Sequence, residues 1–169
     1  QTCALPIWLA RVQIPLRSYR LWAALFTRLT RKDRRRIVLR IGAMARRPVF
    51  SILASVRSPA DGARLIAQLE GQLYREWELC LALAPSLAPE FASAPRVTCV
   101  PVAEGASEAA MLNAALGVAK GDFVMHLPGD RRLAPHALYV FAEYARETPE
   151  PSLLYADEAR PEPYFKPDW

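Results

Sequence analysis

Between residues 48 and 156, short apolar runs alternate with longer segments of helical periodicity, and this alternation restricts the fold more than any other feature. The apolar runs have the length and β-branched content of buried strands. Helices of about 10–15 residues between such strands predict βαβ units and a mainly parallel sheet, an α/β fold with a Rossmann-like arrangement. Strands are predicted at 49–56, 78–84, 96–102, 122–127 and 152–156, and helices after Ser58, at 107–120 and at 135–148.

Polar and conformationally special residues mark the ends of these elements. Ser58 and Ser107 are predicted N-caps of the first two helices, and Gly121 is predicted to stop the second. Pro101 cannot donate a ladder hydrogen bond, so the strand at 96–102 is expected at or near a sheet edge. The proline- and alanine-rich stretch 85–95 is interpreted as a loop.

Length and composition restrict the class of protein. A chain of 169 residues with 52% hydrophobic and 23% charged residues is typical of one soluble domain with a real core. No run approaches the roughly 18 apolar residues of a membrane span. The sequence also lacks a G-x-G-x-x-G motif and a Walker lysine, which excludes the usual dinucleotide and P-loop interpretations. Cys3, Cys80 and Cys99 show no metal-binding spacing, and the last two are predicted core residues in a reducing, cytoplasmic setting.

Charge is distributed unevenly along the chain. Residues 8–47 contain 12 Arg/Lys and one acid, for a net charge of +11, whereas residues 48–169 contain 10 basic and 16 acidic residues, for −6. We interpret 1–47 as a basic helical segment that precedes the domain. It could lie on an anionic membrane surface, pack on the domain, or link it to an upstream part. Its aromatic residues resemble an apolar helix face rather than base-stacking positions, so nucleic acid is not an expected partner.

The stretch 121–133, GDFVMHLPGDRRL, is the strongest candidate for a functional loop. Its apolar part predicts a buried strand that ends in Pro128, Gly129 and Asp130. In open parallel sheets ligands bind at the carboxyl edge of the strands, and Asp130 is the one acid at the tip of this loop. The same three residues are also common turn formers, so a simple turn is the alternative.

Both ends of the sequence have unusual features. Residues 1–7, QTCALPI, match the translation of a common sequencing adapter and are excluded from the fold argument. The sequence stops at Trp169 without completing a predicted element. We therefore expect a fragment of a longer, metagenomic open reading frame, whose truncation leaves the fold incomplete at its C-terminal side.

Three phrases then reveal a family resemblance. In order they are PVFSILASVRSP at 48–59, NAALGVAKGDFVMHLPGDRRLAPHAL at 113–138 and SLLYADEARPEPYFKPDW at 152–169. Residues 48–169 resemble the N-terminal portion of a family 2 glycosyltransferase of the bacterial type that builds cell-surface polysaccharide. The resemblance implies a GT-A fold that binds a nucleotide-diphospho-sugar, expected to be a UDP-sugar, and transfers the sugar to a glycan or lipid-linked acceptor.

The resemblance also implies a metal and a set of site residues. A divalent cation, Mg²⁺ or Mn²⁺, would neutralise the departing diphosphate, and Asp130 would be its ligand. The catalytic base would lie beyond Trp169. Asn113 matches a position that faces the nucleotide cleft, and Arg57 or Arg131 could contact the diphosphate. The full set expected to bind the nucleotide sugar is Arg57, Ser58, Asn113, Gly129, Asp130, Arg131, Asp157, Glu158 and Lys166.

Several positions depart from the family pattern. Pro128 stands where the first acid of the D-x-D motif is expected, and Leu83 and Ala84 stand where the family carries aspartates that hold the nucleotide. Arg57 and Ser58 replace a common tyrosine–asparagine pair. A second hypothesis is therefore a degenerate domain that serves as a binding or scaffold module. Both hypotheses place the protein in the cytoplasm, with possible peripheral contact at the inner face of the plasma membrane.

Overall fold

The computed structural model describes residues 29–129, 131–147 and 153–154. The chain divides into two compact units, one formed by residues 35–154 and the other by residues 1–34 and 155–169. Of the second unit only residues 29–34 are described. Residues 1–28 of the predicted basic helical segment, most of the predicted strand at 152–156, and residues Asp130, Asp157, Glu158 and Lys166 lie outside the described residues.

The described part of the sheet has four parallel strands, which confirms the predicted α/β fold class. The strand order is β3-β2-β1-β4, so β1 lies between β2 and β4. The order reverses between β1 and β4, because the chain moves outward to β3 and then returns to the other side of β1. The elements are α1 (Arg31–Gly42), β1 (Phe50–Ser55), α2 (Pro59–Glu70), β2 (Trp77–Leu83), α3 (Ala88–Phe91), β3 (Val97–Pro101), α4 (Glu108–Leu116), β4 (Phe123–His126) and α5 (Ala137–Glu147).

Helices cover both faces of this sheet. The larger apolar cluster contains residues of β1 and β2 with Leu65 and Leu69 of α2 and Leu138 of α5. A smaller cluster on the other side packs Met111 and Ala115 of α4 against the sheet. Because β1 and β2 are buried on both faces, their central residues are apolar on both sides of the sheet rather than alternating with polar ones.

Most predicted elements are confirmed, but the interpretation of 85–95 as a loop and the predicted end of the second helix need correction. Cys80 is fully buried in β2, as predicted, and burial raises the pKa of its thiol to about 11. The strand containing Pro101 is an edge of the described sheet. The stretch 85–95 is not simply a loop, because it contains a 3₁₀ turn and α3. Helix α4 is capped by Gly117, not Gly121, because the Gly117 N–H bonds back to the Asn113 carbonyl.

Helix α1 confirms that the basic segment contains a helix. Thr30 caps its first turn, because the Thr30 hydroxyl accepts from the Asp33 N–H at 3.2 Å and the Asp33 carboxylate accepts from the Thr30 N–H at 3.0 Å. Ile37 and Ile41 pack against the larger core cluster, whereas Leu39 is exposed. In the described part of the chain, no helix combines the length and apolar character needed to cross a bilayer.

A polar network fixes the turn between α4 and β4 to the amino end of β1. The buried Ser51 hydroxyl donates to Glu78 at 2.6 Å and accepts from the Gly121 N–H at 2.8 Å. Asp122 accepts from the Val49 N–H at 2.8 Å, and this bond is the main cause of the lowered pKa of its carboxyl group. Gly121 and Asp122 thus hold β4 in place beside β1. They lie at the amino edge of the sheet, opposite the predicted ligand site.

We predict that Gly121→Ala destabilises the domain by roughly 1–3 kcal/mol, the usual cost of forcing extra atoms into a packed site. A Cβ at this position would lie 2.6 Å from the Val49 carbonyl oxygen and 2.8 Å from the Ser51 nitrogen, and backbone atoms cannot move aside cheaply. The free energy of unfolding in urea measures the effect.

Gly117→Ala is the matched control. Its Cβ would approach nothing closer than the Ala114 carbonyl oxygen at 3.4 Å, and its backbone is right-handed helical. This control should be neutral or slightly stabilising. Equal unfolding free energies for the two variants would contradict the close approach of Gly121 to β1.

Candidate functional site

The candidate site is a cleft at the carboxyl edge of the sheet, where the strand order reverses. It has a volume of about 340 Å³. The end of β1 and the residues just after it form one side, and Gly129, after β4, lies on another. The first two turns of α2 and the start of α4 complete the cleft. The lining residues are Ser55, Arg57, Asp61, Arg64, Glu108 and Gly129. In open α/β sheets this switch point is the expected ligand position.

The corner between β1 and α2 is built around Ser58. Its hydroxyl accepts from the Asp61 N–H at 3.3 Å and donates to the Asp61 carboxylate at 2.7 Å, while Pro59 occupies the first turn. The hydroxyl bond is the main cause of the lowered pKa of the Asp61 carboxyl group, and Arg64 adds to it. These contacts orient the start of α2 and leave Arg57 exposed immediately before it.

Arg64 connects the two sides of the cleft. Its Nη2 atom donates to Asp61 at 2.7 Å and to the Gly129 carbonyl oxygen at 3.0 Å. Since Asp61 is on α2 and Gly129 follows β4, one guanidinium joins both elements that meet at the switch point. Charge-assisted bonds of this kind are stronger than neutral ones, although the exposure of Arg64 reduces their contribution to stability.

The structure brings some of the predicted residues together at the cleft. Arg57 and Gly129 line it, and Ser58 lies beside it as the helix cap. Arg131 is close to this loop and its carbonyl oxygen accepts from Gln68 at 3.5 Å. Asn113 is exposed in the middle of α4 and is not among the lining residues. Asp130, Asp157, Glu158 and Lys166 are not described.

Sequence reasoning missed four lining residues, which are Ser55 at the end of β1, Asp61, Arg64 and Glu108. Asp61 and Glu108 occupy first helical turns, where acids are favoured by the helix dipole, so they resembled ordinary capping acids. Arg64 resembled a solvated helix residue. The one available signal was topological: in a parallel sheet both helix starts must lie at the carboxyl edge, next to the strand ends. Glu108 also lies 3.8 Å from His126, at the end of β4.

The described residues do not provide a complete set of metal ligands. They contain no group of three or more His, Cys, Asp or Glu side chains that could hold an ion. Asp61 is already bonded to Ser58 and Arg64, and at the neighbouring carboxyl end of β2 Leu83 is fully buried. The described cleft therefore offers guanidinium groups, a backbone carbonyl and two carboxylates, which can bind an anion or hydroxyl groups.

The parallel sheet and the position of the cleft define an α/β domain consistent with a Rossmann-like GT-A fold. The chain is 32% identical over 146 residues to the O-antigen biosynthesis protein RfbC of Myxococcus xanthus, covering 76% of this chain and 12% of that protein. It is 31% identical over 160 residues to the uncharacterized protein y4gI of Sinorhizobium fredii, covering 82% and 18%. The chain thus spans less than a fifth of either relative. No family model and no solved structure matches it.

We predict that Ser58→Ala costs about 1 kcal/mol of unfolding free energy, because it removes the N-cap of α2. Ser107→Ala is the matched comparison, since Ser107 caps α4 through the Ala110 N–H at 3.2 Å. Denaturant unfolding of both variants measures the loss. If Ser107→Ala destabilises and Ser58→Ala does not, Ser58 is not acting as a cap.

The same variant should alter the acid dependence of stability. The folded-state pKa of Asp61 is lowered, so its contribution is present above its unfolded pKa, about 4, and is lost as the pH falls through the folded value. Ser58→Ala removes the main cause of this lowering. As the pH is lowered from 5 into the acid range, the unfolding free energy of Ser58→Ala should therefore decrease less than that of the parent chain.

Proposed function

We propose that this domain is the donor-binding part of a family 2 glycosyltransferase that acts in polysaccharide biosynthesis. It would bind a nucleotide-diphospho-sugar in the switch-point cleft and pass the sugar to a glycan or lipid-linked acceptor. The observation that carries the proposal is the position of the Arg57 and Arg64 side chains at the carboxyl edge, where the strand order reverses. The similarity to an O-antigen biosynthesis protein supports a role in polysaccharide biosynthesis.

The chemistry of the donor explains the need for cations in this cleft. Breaking the bond between sugar and diphosphate leaves negative charge on the departing nucleoside diphosphate. Fixed positive groups stabilise that charge most where water is partly excluded. Arg57 is exposed at the rim and can donate to phosphate oxygens in a bidentate way. Asp130, next to Gly129, is proposed to hold Mg²⁺ or Mn²⁺ that supplies further charge.

The alternative function is a glycosyltransferase-like module that no longer binds a donor. Leu83, the last residue of β2, and Ala84 after it carry no carboxylate, and Pro128 offers no side-chain ligand. Such a domain would be retained for its contacts with other proteins or with the rest of a longer chain. It predicts a folded protein that binds no nucleotide sugar with or without metal.

We predict that UDP and UDP-sugars bind to the 169-residue chain, and that Mn²⁺ strengthens binding. Arg57→Gln should weaken binding about tenfold, because loss of a charge-assisted phosphate contact costs about 1.4 kcal/mol. Asp130→Ala should remove the effect of Mn²⁺ while leaving part of the metal-independent affinity. Isothermal titration of each variant measures both effects.

Arg36→Gln is the matched control, because it makes the same charge change on exposed α1, outside the cleft lining. It should leave the dissociation constant unchanged. A folded chain that binds neither UDP nor any UDP-sugar would overturn the enzyme proposal and favour the scaffold alternative. If Arg36→Gln and Arg57→Gln weaken nucleotide binding equally, the effect comes from net charge and not from a contact made by Arg57.

Peripheral membrane contact is proposed for helix α1, at the cytoplasmic face of the membrane. Its exposed side carries Arg35 and Arg36 together with Val38, 54% exposed, and Leu39, 66% exposed. Basic groups are attracted to anionic lipids by about 1 kcal/mol each, and exposed apolar side chains can enter the headgroup region.

Co-sedimentation with vesicles tests this contact. Binding is expected to vesicles that contain anionic lipid, to fall with salt, and to be weaker for Val38→Ser/Leu39→Ser and for Arg35→Gln/Arg36→Gln. Neutral phosphatidylcholine vesicles are the control. Equal sedimentation of the parent chain with neutral and anionic vesicles would contradict an electrostatic contact through α1.

A further inference from the structure

Three polar side chains occur at intervals of four residues, two on α2 and the third just after the helix ends at Glu70. The spacing places the first two on one face of the helix. Arg64, Gln68 and Gln72 are these residues, and we call them the α2 stripe. Each donates to a backbone carbonyl of the segment that joins β4 to α5. The acceptors are the carbonyl oxygens of Gly129 at 3.0 Å, Arg131 at 3.5 Å and Ala134 at 2.9 Å.

The order of these contacts defines the path of the joining segment. Its acceptors advance along the chain as the donors advance along α2 and the residues just after it, so the segment runs beside the helix in the same direction. The Leu73 N–H continues the series by donating to the Pro135 carbonyl oxygen at 2.8 Å. The chain therefore follows α2 after it leaves the carboxyl edge of β4, rather than passing directly into α5.

The two ends of the α2 stripe differ in environment. Gln72 is 1% exposed, and both ends of its amide are used, since it donates to Ala134 and accepts from the Leu138 N–H at 3.3 Å. At this end the buried amide of Gln72 joins the segment to the start of α5. Arg64 is more than half exposed at the cleft and also bonds to Asp61. The end beside the cleft is therefore held more weakly.

We propose that Arg64 is a positioning residue, which sets the place of the segment after β4 at the rim of the cleft. By fixing the Gly129 carbonyl oxygen it fixes the start of this segment relative to α2 and β1. The role of this positioning in donor binding rests on the proposed function. Arg64 acts through the backbone of Gly129, so its effect should extend to the whole segment rather than to one ligand contact.

Hydrogen exchange measured by mass spectrometry on the full chain tests the positioning directly. Arg64→Gln should raise the exchange rate of peptides that span residues 127–136 by about fivefold, the effect of losing one net hydrogen bond. Peptides from β2 should be unchanged. Arg75→Gln is the control, because Arg75 lies just after the same helix and bonds instead to the Glu70 carbonyl oxygen at 2.6 Å. Unchanged exchange at 127–136 in Arg64→Gln would overturn the proposal.

Nucleotide titration separates positioning from direct ligand contact. Gln68 does not line the cleft, yet it holds the same segment. Positioning predicts that UDP binding weakens about threefold to tenfold in Arg64→Gln and also weakens in Gln68→Ala. Weakening in Arg64→Gln alone would overturn positioning in favour of a direct contact. A parent chain that binds no nucleotide overturns the proposed function, and the exchange result then decides the role of Arg64 by itself.

Discussion

The close approach of Gly121 to β1 is the contact on which the arrangement of the sheet depends. With no side chain at this position, the turn before β4 lies directly against the backbone of Val49 and Ser51. Strand β4 then pairs with β1 from its first residue, Phe123 opposite Phe50, and the two rings stack at 5.8 Å. This pairing puts β4 on the side of β1 that β2 leaves free. The reversal of strand order, and hence the cleft, follows from it.

The two edges of the sheet satisfy their polar groups in different ways. At the amino edge, Ser51, Glu78 and Asp122 bond to one another or to backbone N–H groups of the strands and turns. Because these groups already have hydrogen-bond partners within the protein, they hold the strands in place and offer few free hydrogen bonds to a ligand. At the carboxyl edge, Arg57 is exposed and Arg64 is shared between a carboxylate and a carbonyl group. Binding capacity is therefore concentrated at the edge where parallel sheets usually bind ligands.

The sequence predicted those features that depend on local chemistry. Strand runs, the serine caps of α2 and α4, and the edge position of the Pro101 strand each follow from residues within a few positions of one another. The α2 stripe could not be predicted, because Gln68 and Gln72 resemble solvated positions until the segment after β4 is known to lie on them. The close approach of Gly121 depends in the same way on a strand some 70 residues earlier in the chain. The family resemblance placed Asn113 at the nucleotide cleft; in the structure it is exposed in the middle of α4 and is not among the described lining residues.

The balance of charge in the cleft sets a condition on any anionic ligand. Among the described lining residues, Arg57 and Arg64 oppose Asp61 and Glu108, so the formal charges cancel. Asp61 and Arg64 are also bonded to each other, which leaves Arg57 as the guanidinium most available to a ligand. A nucleoside diphosphate carries more than one negative charge, and a single exposed guanidinium compensates only part of it. Tight donor binding therefore requires a second source of positive charge, and a divalent cation held at the loop after β4 would supply it without rearranging the contacts of Arg64.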